Sequence, residues 1–152
     1  MYKEATGSDS AQLSAIIVKA KGYWQYPPQW MDAWCELLTI SADYIDNNAV
    51  VMLVDKDVVI GFYAIEYSAD QGPARLDNLW IDPVFIGKGY GRQLFEHACN
   101  IAFKNGCQTL QWDADPNAEG FYSQLGALKI GEVQADVLGV PRVLPTMEIS
   151  LI

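Results

Sequence analysis

The stretch Asp82-Pro83-Val84-Phe85-Ile86-Gly87-Lys88-Gly89-Tyr90-Gly91-Arg92 decides how the chain is read, because an apolar strand stops there, turns through three alternate glycines and enters a helix. Glycine leaves the backbone open to close approach, and the N–H groups at a helix N-terminus point outward with about half a positive charge behind them. That combination suits a pyrophosphate. It is not a P-loop, since no Gly-Lys-Ser/Thr closes it, nor a dinucleotide fingerprint, since the G-x-G-x-x-G spacing and an early βαβ position are missing.

Upstream of this turn, residues 74–81 read as a strand with Leu76, Asn78 and Trp80 on one face and Asp77, Leu79 and Ile81 on the other. Residues 58–67 read as a longer strand interrupted by Gly61, where a bulge is expected, and the apolar run 49–54 suits a strand covered on both faces. Asp55-Lys56-Asp57 and Asp70-Gln71-Gly72-Pro73 are the intervening turns. Downstream, Leu94, Phe95, Ala98, Ile101 and Ala102 recur at helical spacing until Asn105-Gly106. A strand at 109–114, a helix from Pro116-Asn117 to Leu125, a strand at 127–133, a loop at 134–145 and a last strand at 146–152 complete this half.

Near the start, residues 2–6 read as a short strand, and Ser8-Asp9-Ser10 supply cap chemistry for a helix carrying Leu13, Ile16 and Ile17. A second helix begins at or after Pro28 and carries Trp30, Trp34 and Leu37 or Leu38 on one face; a capped short helix follows at Ser41 to Ile45. The aromatics between Tyr23 and Trp34 either pack in the core or wall an acceptor pocket. The order β-α-α-β-β-β-α-β-α-β-β predicts an α/β fold, one domain over residues 1–152 with a mixed central sheet flanked by helices.

The composition narrows the chemistry. With 152 residues, 51% hydrophobic and 19% charged, the chain is of a size and make-up to bury its own core. No apolar run approaches about 18 residues, and the N-terminus lacks a signal-peptide pattern, so a cytoplasmic protein without a membrane partner is expected. A net charge of −9 argues against nucleic acid and suits a cationic amine. Cys35, Cys99 and Cys107 have no metal-ligand spacing and His97 is the only histidine, so neither a metal nor a Ser-His-Asp or Cys-His device is expected; His97 reads as a residue on a helix surface or edge.

Three segments carry a family resemblance: Leu79-Trp80-Ile81-Asp82-Pro83, then Gly87-Lys88-Gly89-Tyr90-Gly91-Arg92-Gln93-Leu94, then Asn117-Ala118-Glu119-Gly120-Phe121-Tyr122-Ser123-Gln124-Leu125-Gly126-Ala127. Together they resemble the GNAT superfamily of acyl-CoA-dependent N-acyltransferases. The resemblance implies acetyl-CoA as co-substrate, held by the backbone from Ile86 through Gly87, Lys88, Gly89, Tyr90 and Gly91 to Arg92. It also implies Leu79, Trp80 and Ile81 beside the pantetheine arm, and Asn117 in contact with the cofactor. Ile86 departs from the pattern, which has Gln or Arg at that position; Lys88 and Arg92 are the cations at hand to compensate.

Acyl transfer to an amine needs a base to take the ammonium proton, a donor for the oxyanion and an acid for the departing thiolate. By the resemblance, Tyr122 is the general acid; otherwise it is a half-buried helix aromatic. Asp77 and Asp113 are candidates for base or amine-orienting group, Glu66 and Asp115 stand near by, and a water relay is the alternative. The segment 139–145 resembles the one leading into the final strand in a subset of the family; it either borders the acceptor site or is an ordinary loop. The expected function is transfer of an acetyl group to a primary amine of a small molecule or peptide, with a non-catalytic acyl-CoA-binding or sensing domain as the alternative. Unpaired apolar edges permit a homodimer.

Overall fold

β2 (Ala49–Asp55) and β3 (Val58–Glu66) form the most apolar hairpin of the chain and are buried on both faces. In the computed structural model, which describes residues 1–69 and 72–152, they belong to one seven-stranded sheet in the order β1-β2-β3-β4-β5-β7-β6. The others are β1 (Tyr2–Glu4), β4 (Ala74–Ile81), β5 (Thr109–Asp113), β6 (Leu128–Gln134) and β7 (Val143–Ser150). The Asp70-Gln71 part of the second expected turn lies outside the described residues.

Each face of the sheet carries its own core. On one, α4 (Tyr90–Lys104) lays Leu94, Phe95, Ala98 and Ala102 against Val51, Tyr63, Ile65 and Leu76. On the other, α1 (Ser10–Gly22) lays Leu13, Ile16 and Ile17 against Val50, Met52, Phe62 and Ala64. α2 (Pro28–Ala33) and α3 (Ala42–Asn47) join that second face, where Trp34, Leu38 and Ile45 are buried. Full burial of each such side chain contributes about 1.5–3 kcal/mol, so both faces are needed to offset the ordering of the chain. The alternating residues of β2 split between the two cores, as a strand covered on both sides must.

The register departs from simple alternation in two places. Opposite Leu53 and Val54, β3 holds an extra residue, Ile60, beside Gly61. Opposite Ala64 and Ile65, β4 holds an extra residue, Asp77. The second bulge corrects the expected faces of β4: Leu76 shares a core with Leu79 and Ile81, while Trp80 packs on the other face. The Asp77 carboxylate accepts from Tyr44, which belongs to Trp80's face, so it does not share a face with Ile81.

Three further expectations are corrected. The helix at Pro28 ends at Ala33, and Trp34 to Leu38 continue as turns, leaving Leu37 exposed. Asp9 occupies the N-cap of α1 without a side-chain cap bond to it; its carboxylate accepts from the Thr6 N–H instead and closes the short 3-10 turn Gly7–Asp9. β7 begins inside the expected loop and includes Pro145, whose carbonyl accepts from the Ala114 N–H at 2.9 Å. Only the return bond, which proline cannot donate, is lost there.

Candidate active site

β4 and β5 form the only parallel pair among the described strands, and they are paired only at Ala74 with Leu110 and Arg75 with Gln111. Beyond Arg75 the strands part. Each then ends in the same device: Asp82-Pro83 opens one 3-10 turn with the Asp82 carboxylate accepting from the Val84 N–H, and Asp115-Pro116 opens another with Asp115 accepting from the Asn117 N–H. Asp as N-cap with Pro following stops a strand and starts a helical turn. A cavity of about 650 Å³ opens between the diverging ends, lined from β4, β5, the glycine turn and the start of α5 (Glu119–Gln124).

The glycine turn forms one wall. Gly87 and Gly89 hold φ of +85° and +82°, and Gly89 is the N-cap of α4. The Phe85 and Ile86 N–H groups are taken by the Asp82 and Pro83 carbonyls. From Gly87 to Arg92 the N–H groups have no partner among the described residues; the first engaged donor of the helix is Gln93, bonded to the Gly89 carbonyl. This is a row of free donors at the N-terminus of a 15-residue helix, which fits a pyrophosphate. Ile86, Gly87, Gly89, Tyr90, Gly91 and Arg92 line the cavity together with Leu79, Trp80 and Ile81, whereas Lys88 does not and extends over the Phe85 ring. Ile86 is half exposed at the edge of the cavity.

Tyr122 lines the cavity from α5, buried against Trp112 and Phe95 with ring centroids 4.8 and 5.6 Å away. Burial, and then the charge of Asp115, push its phenol above the ordinary value, so it is protonated at neutral pH. Trp112, which also lines the cavity, holds the one buried side-chain donor without a partner among the described residues, its indole Nε1.

Asp77 and Asp113 both line the cavity, bridged by Arg75, whose Nε is 3.3 Å from Asp77 and whose Nη2 is 3.2 Å from Asp113. Asp77 also accepts from the Tyr44 hydroxyl at 2.5 Å and Asp113 from Thr146 at 2.7 Å. Glu66 is pushed upward in pKa first by its hydrogen bond with Asp77 and then by burial. The bridge closes the sheet at the point where β4 and β5 separate.

A cluster with little local signal in the chain stands at the end of β5. Lys21 donates to Asp115 at 2.7 Å, Arg142 to the same oxygen at 3.4 Å, and the Tyr26 hydroxyl to both oxygens at 2.9 Å. The Asn117 amide donates to Tyr26 and Asp115 at 2.9 and 3.0 Å. Burial pushes Asp115 upward, but the Lys21 hydrogen bond and charge, with the Asn117 N–H and Tyr26, outweigh it and hold the carboxyl below its usual range. Lys21 lies in the last turn of α1, where nothing in the local pattern marks a site, and Arg142 lies in the proline-flanked segment 139–145. The aromatics between Tyr23 and Trp34 divide: Trp34 is core, while Tyr23 and Trp24 stand exposed at the cavity.

A sheet parted at a parallel pair, with free helix-end donors and a buried phenol lining the same cavity, fits the class of acyl-CoA-dependent N-acetyltransferases. The model of the acetyltransferase (GNAT) family matches residues 13–127, and the chain belongs to that family. Peptidyl-lysine N-acetyltransferase YjaB of Salmonella typhimurium is 31% identical over 107 residues, covering 70% of this chain and 68% of that protein. The GCN5-related N-acetyltransferase structure from Rhodopseudomonas palustris superposes with a TM-score of 0.83 at 20% identity, over 99% of this chain and 94% of its own. PaiA N-acetyltransferase from Thermoplasma acidophilum, solved with coenzyme A, gives 0.75 at 17% identity over 99% and 98%.

Proposed function

We propose that this chain moves an acetyl group from acetyl-CoA to a primary amine of a small molecule or peptide by direct attack on the thioester. The observation that carries the reading is one cavity bounded both by the free N–H row of Gly87 to Arg92 and by Tyr122. The naming of YjaB as a peptidyl-lysine N-acetyltransferase and the coenzyme A in the PaiA complex support it. The row holds the pyrophosphate, the parted edge of Leu79 to Ile81 runs beside the pantetheine arm, and Asn117 contacts it. The amine nitrogen attacks the thioester carbon, the C–S bond breaks, and Tyr122 gives its proton to the departing sulfur. The amine's own proton leaves through water or a carboxylate; Asp77 and Asp113 are the candidates because both face the cavity.

Thiol release from acetyl-CoA over a panel of amines, amino acids and peptides tests the reading. Tyr122→Phe is expected to lower turnover by about 10²-fold, the low end for loss of a positioned acid, while acetyl-CoA still raises the melting temperature. If acetyl-CoA stabilises the protein but no amine releases thiol, the chain binds acyl-CoA without using it on those acceptors.

The free thiols of Cys35, Cys99 and Cys107 support a cytoplasmic setting, and no helix is long and apolar enough to cross a membrane among the described residues. A homodimer belongs to the same reading, supported by the edge strand β6 with Leu128, Ile130 and Val133 exposed. Sedimentation would then report twice the 16.9 kDa chain mass, and a monomer at high micromolar concentration would refute it.

A further inference from the structure

Two cations meet one carboxylate in the wall of the cavity. The side chains of Lys21, Arg142 and Asp115 are 11%, 10% and 14% exposed, so the surplus positive charge is largely shielded from water. Asp115 is saturated: its oxygens already accept from Lys21, Arg142, Tyr26 and Asn117. Lys21 Nζ lies 5.0 and 4.6 Å from the Tyr26 and Trp34 ring centroids, and Arg142 Cζ lies 5.3 and 5.0 Å from the same rings. Ring faces soften a buried cation but do not neutralise it. Burial draws the Lys21 pKa down, Asp115 restores part of it, and Arg142 lowers it again, as expected where positive charge is in excess. Of the Arg142 donors only Nη2 is engaged, so the rest of the guanidinium is free for a ligand.

The pyrophosphate of coenzyme A has its own donors at the start of α4, the 3′-phosphate lies on the adenosine side of it, and the pantetheine arm that runs from it to the thioester is uncharged. The anion that the surplus suits therefore belongs to the acceptor. Resting on the acetyl-transfer reading for which ligand occupies which end, we infer that Lys21 and Arg142 form a carboxylate subsite, and that the preferred acceptor is an amine carrying a carboxylate, as a free amino acid does. The Asn117 turn that braces Asp115 leads directly into α5 and Tyr122, which puts the subsite on the segment that carries the acid. The local charge thus opposes the expectation drawn from the net charge of −9.

The test needs no turnover. Binding of N-acetyl-L-leucine, N-acetyl-L-phenylalanine and N-acetyl-L-methionine, each against its carboxamide, is measured by calorimetry on the protein saturated with coenzyme A. At least one acid is expected to bind about tenfold tighter than its amide, the scale of a charge-assisted hydrogen bond. Arg142→Met, which leaves Lys21 and Asp115 as a balanced pair, is expected to narrow the gap to under about threefold, and Arg142→Lys to keep most of it. Equal binding of acid and amide, no binding by any acid, or a gap unchanged in folded Arg142→Met would overturn the subsite. Absence of thiol release with every amine would instead overturn acetyl transfer and leave the binding result standing.

Discussion

Gly61 of β3 is paired with Ile81 at the end of β4. A Cβ at this position would lie 2.3 Å from the Trp80 carbonyl oxygen and 2.8 Å from Ile81 Cδ1, and the oxygen belongs to backbone that cannot turn aside. Gly61→Ala is expected to cost about 3 kcal/mol, the upper range for overpacking, read as a lowered urea midpoint with an unchanged slope. A loss under about 0.5 kcal/mol would mean that the strands part easily. The interrupted apolar run made a bulge near Gly61 legible from the sequence. The bulge at Asp77 was not, because it is created by the pairing of β4 with β3 and leaves no mark in the local pattern. Lys21 was illegible for a similar reason: its partner Asp115, 94 residues away in the chain, is brought to it only by the fold.

At the scale of elements, the glycine turn and α4 were read correctly because their signals are local: alternate glycines, then a regular apolar stripe, then Asn105-Gly106. Here φ decides the outcome. Gly89, at +82°, sits in the left-handed region, and a β-branched residue there costs about 1–2 kcal/mol locally. Gly89→Val should therefore weaken coenzyme A binding by about tenfold, as calorimetry would read, by moving the free donors at the helix start. Ile86→Arg should leave affinity equal or better, since Ile86 is exposed and its N–H is already engaged with Pro83. The reverse pair of results would put the phosphates elsewhere. β7 was less legible: Pro145 reads as loop until its carbonyl finds Ala114 across the sheet.

Over the whole molecule, His97 links three elements. Its ring stacks on Tyr2 of β1 at 3.7 Å, its Nδ1 shares a 2.8 Å hydrogen bond with the Tyr63 hydroxyl of β3, and its backbone belongs to α4. Burial, then the charge of Lys104, lower its pKa. The unfolded chain therefore takes up the proton first, at about pH 6.5, and stability falls as pH drops through that value towards the folded pKa. A melting temperature declining from pH 7.5 to 5.5, with a shallower decline in His97→Gln, is expected; parallel curves would exclude His97 as the source. The residue reads as a helix edge in the sequence, since neither tyrosine is near it in the chain.

Trp24, Trp80 and Trp112 all line the cavity. Indole emission follows the polarity and quenching of its surroundings, so the protein carries its own optical gauge at the place where ligands arrive. A ligand entering the cleft is expected to change this indole emission without any dye or tag. Order of arrival can then be timed by stopped flow on the unlabelled chain, with Trp24 at the open mouth reporting the outer end and buried Trp112 the inner one.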